Sequence, residues 1–175
     1  MMKGNKVQLR ALEPEDLAFL FQIENDTSLW EVSHTQVPYS KFFLKKYLEN
    51  AHRDIYDVKQ LRLVIETLDK QTIGLIDLYD FDPKNKRAGV GIVISESNNR
   101  QKGYATEALR LLCEYAFNEL QLHQLYAAIG TNNKASIALF ENLSFIKSGT
   151  KKDWNFYNHQ FHDEHFYQKI NPSIV

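Results

Sequence analysis

The feature that most constrains the fold of this chain is a short basic turn, Arg100-Gln101-Lys102-Gly103-Tyr104-Ala105, between an apolar run and a helical segment. The apolar run, Val90 to Ile94, is typical of a β-strand, and helical spacing begins near Thr106. A turn that leads directly into a helix points several unpaired backbone N–H groups at one place. Gly103 can adopt a positive φ, and the arginine and lysine add cationic side chains. The pattern therefore predicts a binding site for a pyrophosphate group.

Neither of the common nucleotide-binding loops is present. Gly89-Val90-Gly91 falls at the start of a strand and lacks the third glycine of GxGxxG, and no GxxxxGK[ST] occurs. An ordinary strand-to-helix turn with solvated basic residues would also produce the hexapeptide. The turn alone leaves both interpretations open.

A second informative segment is the run from Asn133 to Phe145. Asn133 is a typical N-cap residue, and Ile137, Phe140 and Leu143 follow it at helical spacing. A short amphipathic core helix would explain the apolar stripe, but not its position downstream of a phosphate-binding turn.

Together the two segments resemble the GNAT family of N-acetyltransferases. The turn matches the family's Arg/Gln-x-x-Gly-x-Gly/Ala loop, and the later helix matches N-x-x-S-x-x-L-Y-E-x-x-G-F at Asn133, Ser136, Leu139, Glu141 and Phe145. The resemblance extends over nearly the whole chain, is best from Arg62 to Ile170, and is closest to the ribosomal-protein N-terminal and spermidine acetyltransferases. It implies acetyl-CoA as cosubstrate, with these cofactor-binding residues: Ile92, Val93, Ile94, Arg100, Gln101, Lys102, Gly103, Tyr104, Ala105, Thr106, Asn133, Ser136 and Phe140.

The order of predicted elements indicates one mixed α/β (α+β) domain over residues 1–175. The resemblance implies the GNAT fold, a central, mostly antiparallel sheet with a splayed strand pair and flanking helices. The predicted strands are Val7 to Arg10, Leu61 to Thr67, Ile73 to Tyr79, Arg87 to Ser95, Leu125 to Ile129 and further strands in the C-terminal third. The predicted helices follow Pro14, Ser40, the basic turn and Asn133.

Composition excludes several classes of function. A net charge of −1 argues against a nucleic-acid or anionic-membrane binder, and no apolar stretch reaches the length of a membrane span. We therefore expect a soluble, cytoplasmic protein, and a homo-oligomer remains open. The single cysteine, Cys113, falls on an apolar helix face and is expected to pack in the core.

A dense group of potential metal ligands lies near the C-terminus, comprising His159, His162, Asp163, Glu164 and His165. Alternate residues of a strand point to opposite faces, so His162 and Glu164 would be separated from Asp163 and His165. We predict a polar hairpin here and no metal cofactor.

The resemblance implies direct attack of an amine on the thioester. In that mechanism, the backbone of the strand ending at Ile94 pairs with the pantetheine arm, and the strands carrying Ile94 and Tyr126 splay apart. Many relatives have a tyrosine that protonates the thiolate, where this chain has Phe140. Since a thiol has a pKa of about 8.5, its thiolate is a tolerable leaving group without that donor. The family's glycine before the final phenylalanine is Ser144 here.

The predicted catalytic residue is Asp77, a carboxylate in the otherwise apolar run Leu75 to Leu78, at a position where spermidine-acetylating relatives carry an acid. It would accept the amine proton or orient the acceptor cation; alternatively it faces solvent on an alternating strand. Three other acids are weaker candidates, namely Glu31, Asp80 and Asp82.

The acceptor is a primary amine of a small molecule, a polyamine-like compound or a protein N-terminus. The stretch from Ser33 to Lys41 lacks the acids of the spermidine enzymes, which weakens a polyamine assignment. An apolar pocket could instead be lined by Trp30, Phe42, Phe43 and Tyr47. The rival function is a coenzyme A-binding module without turnover, motivated by the missing tyrosine.

Overall fold

The computed structural model of the chain describes residues 2–95 and 102–172. Arg100 and Gln101 of the basic turn lie outside the described residues. Helices and strands occur in the order β1 (Met2–Lys3), β2 (Val7–Ala11), α1 (Leu17–Glu24), α2 (Trp30–Ser33), α3 (Lys41–Glu49), α4 (Ile55–Val58), β3 (Leu61–Thr67), β4 (Thr72–Asp82), β5 (Arg87–Ile94), α5 (Tyr104–Asn118), β6 (Gln124–Gly130), α6 (Lys134–Asn142), β7 (Ile146–Tyr157) and β8 (Gln160–Ile170).

The strands form one eight-stranded sheet in the order β1-β2-β3-β4-β5-β6-β8-β7. Neighbouring strands are antiparallel except β5 and β6, which are parallel and are connected through α5. The predicted mixed α/β fold with a mostly antiparallel sheet is thus confirmed.

Successive side chains of the central strands point to opposite faces of the sheet, and both faces are covered by helices. Val64 and Leu75 pack against α1 and α3, whereas Ile65, Ile76 and Leu78 belong to the larger core beneath α5. Cys113 is buried in that larger core, as expected, and burial raises the pKa of its thiol to about 11.

Local sequence signals locate two helix starts correctly. The Ser40 side chain accepts a hydrogen bond from the Phe43 N–H at 3.1 Å, and Asn133 accepts one from the Ser136 N–H at 3.1 Å. Asn133 therefore caps its helix as predicted, and Ser40, predicted as the start of a helix, is its N-cap.

Other predicted element boundaries need correction. The helix after the basic turn begins at Tyr104, not Thr106, because Gly103 reverses the chain and its carbonyl accepts the Glu107 N–H. Strand β4 continues past Tyr79 to Asp82 through a register shift, with Asp80 at φ 47°. The short strand β1 and the one-turn helices α2 and α4 were not predicted.

Among the described residues, no helix is both long and apolar enough to cross a membrane.

Candidate active site

The parallel strands β5 and β6 separate from each other along their length. They pair only between Arg87–Gly89 and Gln124–Tyr126, although β5 continues to Ile94 and β6 to Gly130. On its other side β5 stays paired with β4 up to Ile94. Within residues 2–95 and 102–172, the β5 backbone that faces β6 therefore has no strand partner beyond Gly89, and an extended ligand could pair with it.

The N-terminus of α5 offers free backbone donors at the basic turn. Gly103 is the N-cap at φ 80°, and no side chain caps the helix among the described residues. The N–H groups of Tyr104, Ala105 and Thr106 precede the first intrahelical bond, so they remain available to an anion. The positive φ anticipated for Gly103 is confirmed.

A second lysine lies at this turn, brought there from the start of the chain. The Lys6 Nζ donates to the Lys102 carbonyl at 3.0 Å. Glu107 in the first turn of α5 fixes this arrangement by accepting the N–H groups of Asn5, Lys6 and Val7. Burial raises the pKa of Glu107, but the three N–H donors together lower it by more, so the carboxylate remains charged.

A cleft of about 530 Å³ opens between helices α1 to α3 and the diverging strands. One wall comprises Ile23, Glu24, Leu29, Val32, Ser33, His34, Thr35, Tyr39, Phe43, Leu44 and Tyr47. The opposite wall comprises Gln60, Arg62, Leu75, Asp77, Tyr79, Val90, Gly91, Ile92, Val93, Ala127, Ala128, Ile129, Ser136 and Phe140. The cleft thus joins the β5–β6 gap to a region bounded by aromatic and charged side chains.

Asp77 faces the cleft, not open solvent; its side chain is 18% exposed. Both of its oxygens accept from Arg62, at 2.8 Å from Nε and 2.9 Å from Nη2. The remaining nitrogen of Arg62, Nη1, donates to Oε1 of Glu24 at 2.6 Å. Burial opposes the charge on the guanidinium, yet Asp77, Tyr47 and Glu24 together raise the pKa of Arg62 above its ordinary value.

Phe140 and Ser136 of α6 line the same cleft. The Phe140 ring is 2% exposed and makes an edge-to-face contact with Phe145, with centroids 4.9 Å apart. Phe140 therefore offers an apolar surface to the cleft and has no hydroxyl to donate; among the described residues of this wall, the one phenol is that of Tyr79.

Tyr79 is a cleft residue that the sequence analysis did not identify. Its ring lies over Gly89, its register partner on β5, where any side chain would collide with it. Burial raises the pKa of Tyr79, with Tyr126 and Asp80 acting in the same direction, so the phenol stays neutral. The sequence signal for this contact was a glycine, Gly89, in the strand next to Tyr79, because a glycine inside a strand often marks the close approach of another group.

The weaker acid candidates lie elsewhere. Glu31 borders a separate surface cavity and contacts Asn132. Asp80 is exposed, 3.5 Å from the Tyr126 hydroxyl, and Asp82 accepts from Asn85 in the β4–β5 turn.

Four aromatic residues were predicted to line an apolar acceptor pocket. Of these, Phe43 and Tyr47 line the cleft, whereas Trp30 lines the other cavity.

The potential metal ligands on β8 bind β7 side chains and backbone. Lys152 lies 2.6 Å from Asp163, Lys151 lies 3.2 Å from Glu164, and Thr150 lies 2.8 Å from the His165 ring. Across residues 2–95 and 102–172, no group of three or more His, Cys, Asp or Glu side chains is arranged to hold a metal ion.

Comparison with known proteins agrees with this geometry. The model of the acetyltransferase (GNAT) domain matches residues 6–146. A spermidine N(1)-acetyltransferase of Escherichia coli K12 is 32% identical over 161 residues, covering 92% of this chain and 84% of the relative.

Two solved structures are also similar to this chain. The Vibrio cholerae spermidine N-acetyltransferase in complex with CoA and spermine superposes with a TM-score of 0.86 at 26% identity, covering 96% and 97% of the two chains. A dodecameric structure of the Vibrio cholerae enzyme in an intermediate state gives 0.81 at 27% identity, covering 98% of each. The predicted family resemblance is confirmed.

Proposed function

The chain belongs to the GNAT family of acetyltransferases and moves the acetyl group of acetyl-CoA to an amine, and we propose that the transfer occurs where the β5–β6 gap meets the cleft. The observation that carries this proposal is the early end of β5–β6 pairing, which leaves the β5 backbone free beside Asp77 and Phe140. The acceptor is a primary amine of a small molecule, a polyamine-like compound or a protein N-terminus.

In this proposal acetyl-CoA lies with its pyrophosphate on the basic turn and its pantetheine arm along β5. The turn residues in that role are Arg100, Gln101, Lys102, Gly103, Tyr104, Ala105 and Thr106. The arm pairs with the backbone of Ile92, Val93 and Ile94, while α6 borders it through Asn133, Ser136 and Phe140. The free N–H groups of α5 and the Lys6 ammonium group support this placement.

The reaction needs a neutral amine and a polarised carbonyl. The acceptor ammonium group first gives one proton to a base or water, and the neutral nitrogen then attacks the acetyl carbon. The carbon–sulfur bond breaks, the nitrogen loses a second proton, and the thiolate takes up one proton to leave as the thiol. Backbone N–H groups of β5 are suited to polarise the thioester carbonyl. Because the Phe140 ring has no proton to donate, water protonates the thiolate.

We expect Asp77→Asn to lower acceptor-dependent turnover by about 10²-fold or more, while the Kd of acetyl-CoA stays unchanged. Both Asp77 oxygens retain lone pairs beyond their bonds to Arg62, so the carboxylate can still hold or orient the acceptor cation. Asparagine keeps the shape and removes the charge. Steady-state kinetics over a range of pH, together with calorimetry of acetyl-CoA binding, measure both quantities.

Asp80→Asn is the matched control, since Asp80 is an exposed acid on the same strand. It should leave turnover unchanged. If Asp77→Asn keeps the parent rate and pH profile, Asp77 has no part in the mechanism.

Release of coenzyme A tests the proposed function itself. Thiol should appear only when acetyl-CoA and an amine are both present, in a screen of simple amines, polyamines and N-terminal peptides. A protein that binds acetyl-CoA but releases no thiol with any of these amines would fit the rival binding module instead.

We also propose that a second copy of the chain is a partner. Strand β7 ends the sheet, and its outer edge has no strand partner among the described residues. Trp154, Phe156 and Phe161 on the β7–β8 hairpin are 59%, 62% and 62% exposed. Exposed aromatic side chains next to an unpaired strand edge favour association. The dodecameric relative supports the same conclusion.

Light scattering should therefore give a mass larger than one chain for the parent protein. Phe156→Lys places a charge on the exposed edge and should reduce that mass, whereas Lys147→Glu, an exposed change elsewhere on β7, should not. A monomeric parent protein at micromolar concentration would contradict the proposal.

A further inference from the structure

Glu24 has one carboxylate oxygen that accepts no hydrogen bond from the described residues. Its Oε1 accepts from Arg62, whereas its Oε2 has no hydrogen-bond partner in residues 2–95 and 102–172. The Glu24 side chain is 14% exposed and lines the cleft, so this oxygen is accessible from the cleft. A carboxylate oxygen that faces the cleft without a protein donor can accept a charge-assisted hydrogen bond from a bound cation.

The charge around this oxygen limits how many cations the cleft can hold. Among the described lining residues, the acids are Glu24 and Asp77, and Arg62 is the permanent cation. Two carboxylates against one guanidinium leave a formal charge of −1. Since both Asp77 oxygens are bound to Arg62, the uncompensated charge lies mainly on Glu24. One ligand cation balances this charge, whereas a second or third cation would find no uncompensated carboxylate among these residues.

The surface next to Glu24 is aromatic. Tyr39 and Phe43 contact each other with ring centroids 5.4 Å apart, and Tyr47 lies with its ring centroid 5.8 Å from the Arg62 guanidinium carbon. Asn25 fixes this wall, because its side chain bonds both the N–H and the carbonyl of Tyr39, at 2.8 and 3.0 Å. Phe43 is 53% exposed, which leaves its ring free to cover an incoming ligand.

We propose that the acceptor is a monoamine with one positive charge and an aromatic or apolar body. Its ammonium group donates to Oε2 of Glu24, and its body packs on Tyr39, Phe43 and Tyr47. This inference rests on the proposed function and narrows its substrate class. Arg62 then lies between the bound amine on Glu24 and the Asp77 carboxylate. The ammonium group gives one proton to a base or water before its nitrogen attacks the thioester.

The test compares phenethylamine with spermidine as acceptors. We expect kcat/KM for phenethylamine to exceed that for spermidine by at least about tenfold. Glu24→Gln keeps the size of the side chain and removes its charge, so it should lower kcat/KM for phenethylamine by at least about tenfold. The Kd of acetyl-CoA should not change in this variant.

Phe43→Leu is a second variant, and it should fold like the parent protein because the Phe43 ring is already half exposed. It should reduce the preference for phenethylamine over butylamine, which has the same charge and no ring. An unchanged preference would overturn the aromatic part of the inference.

Two outcomes separate this inference from the proposed function. If spermidine is the better acceptor and Glu24→Gln is neutral, the monoamine class is wrong while the acetyltransferase assignment stands. If no amine is acetylated, calorimetry of phenethylamine binding to the coenzyme A-bound protein tests the proposed amine site independently of turnover. Binding that Glu24→Gln abolishes supports it, and the absence of binding overturns it.

Discussion

Gly103→Val is expected to weaken acetyl-CoA binding by at least about 100-fold, equivalent to about 2.7 kcal/mol. Gly103 has φ 80°, a conformation that a β-branched residue avoids. Relaxing this strain would move the start of α5 and redirect the N–H groups of Tyr104 and Ala105. A valine Cβ would also lie 2.9 Å from Lys6 Nζ, but that flexible side chain can move away at little cost. The backbone effect is therefore the larger one.

Calorimetry with acetyl-CoA measures the loss, and Gly149→Val is the matched control. Gly149 is exposed on β7 and a Cβ there would meet nothing within 4 Å, so binding should be unchanged. Circular dichroism of both variants separates lost binding from lost folding. Cofactor affinity equal to the parent in folded Gly103→Val would show that the pyrophosphate lies elsewhere.

Phe140→Tyr is expected to accelerate the chemical step by about 10- to 100-fold. The residue lines the cleft beside the β5–β6 gap, where the departing sulfur would lie. A phenol there adds a proton donor at little steric cost, and it stabilises the developing thiolate more than the bound thioester. The gain should therefore appear in the rate, with little change in the Kd of acetyl-CoA.

Single-turnover kinetics are the appropriate measurement, because slow product release would hide a faster chemical step. Phe145→Tyr is the control: its ring is equally buried and contacts Phe140, but it does not line the cleft. A folded Phe140→Tyr variant that binds acetyl-CoA normally, with a single-turnover rate equal to or below the parent, would show that this ring is not beside the sulfur. It would also favour water as the proton source.

The parts of the site that depend on local backbone chemistry were predictable from the sequence. Gly103 is needed at a positive φ, and Ser40 and Asn133 cap helices through hydrogen bonds within three residues. The strand alternation that directs Asp77 away from the α5 core also follows from neighbouring residues. These features need no knowledge of the rest of the chain.

The parts that depend on long-range packing were not predictable. Lys6 reaches Lys102 across 96 positions, and Arg62 joins Glu24 and Asp77 from 38 and 15 positions away. Nothing in the local sequence specifies those pairs, because sheet order and helix placement bring them together. Asp77 was therefore identifiable as a candidate from its own strand, whereas the guanidinium group that binds it and the neighbouring Glu24 were not.

A crystal structure of the protein with acetyl-CoA bound tests the central claim most directly. The account predicts that the pyrophosphate contacts the backbone N–H groups of Gly103 to Thr106, that the pantetheine arm pairs with β5 beyond Gly89, and that the acetyl group points into the cleft toward Asp77. An acetyl-CoA molecule bound away from α5, or a β5–β6 gap closed by further strand pairing, would contradict it.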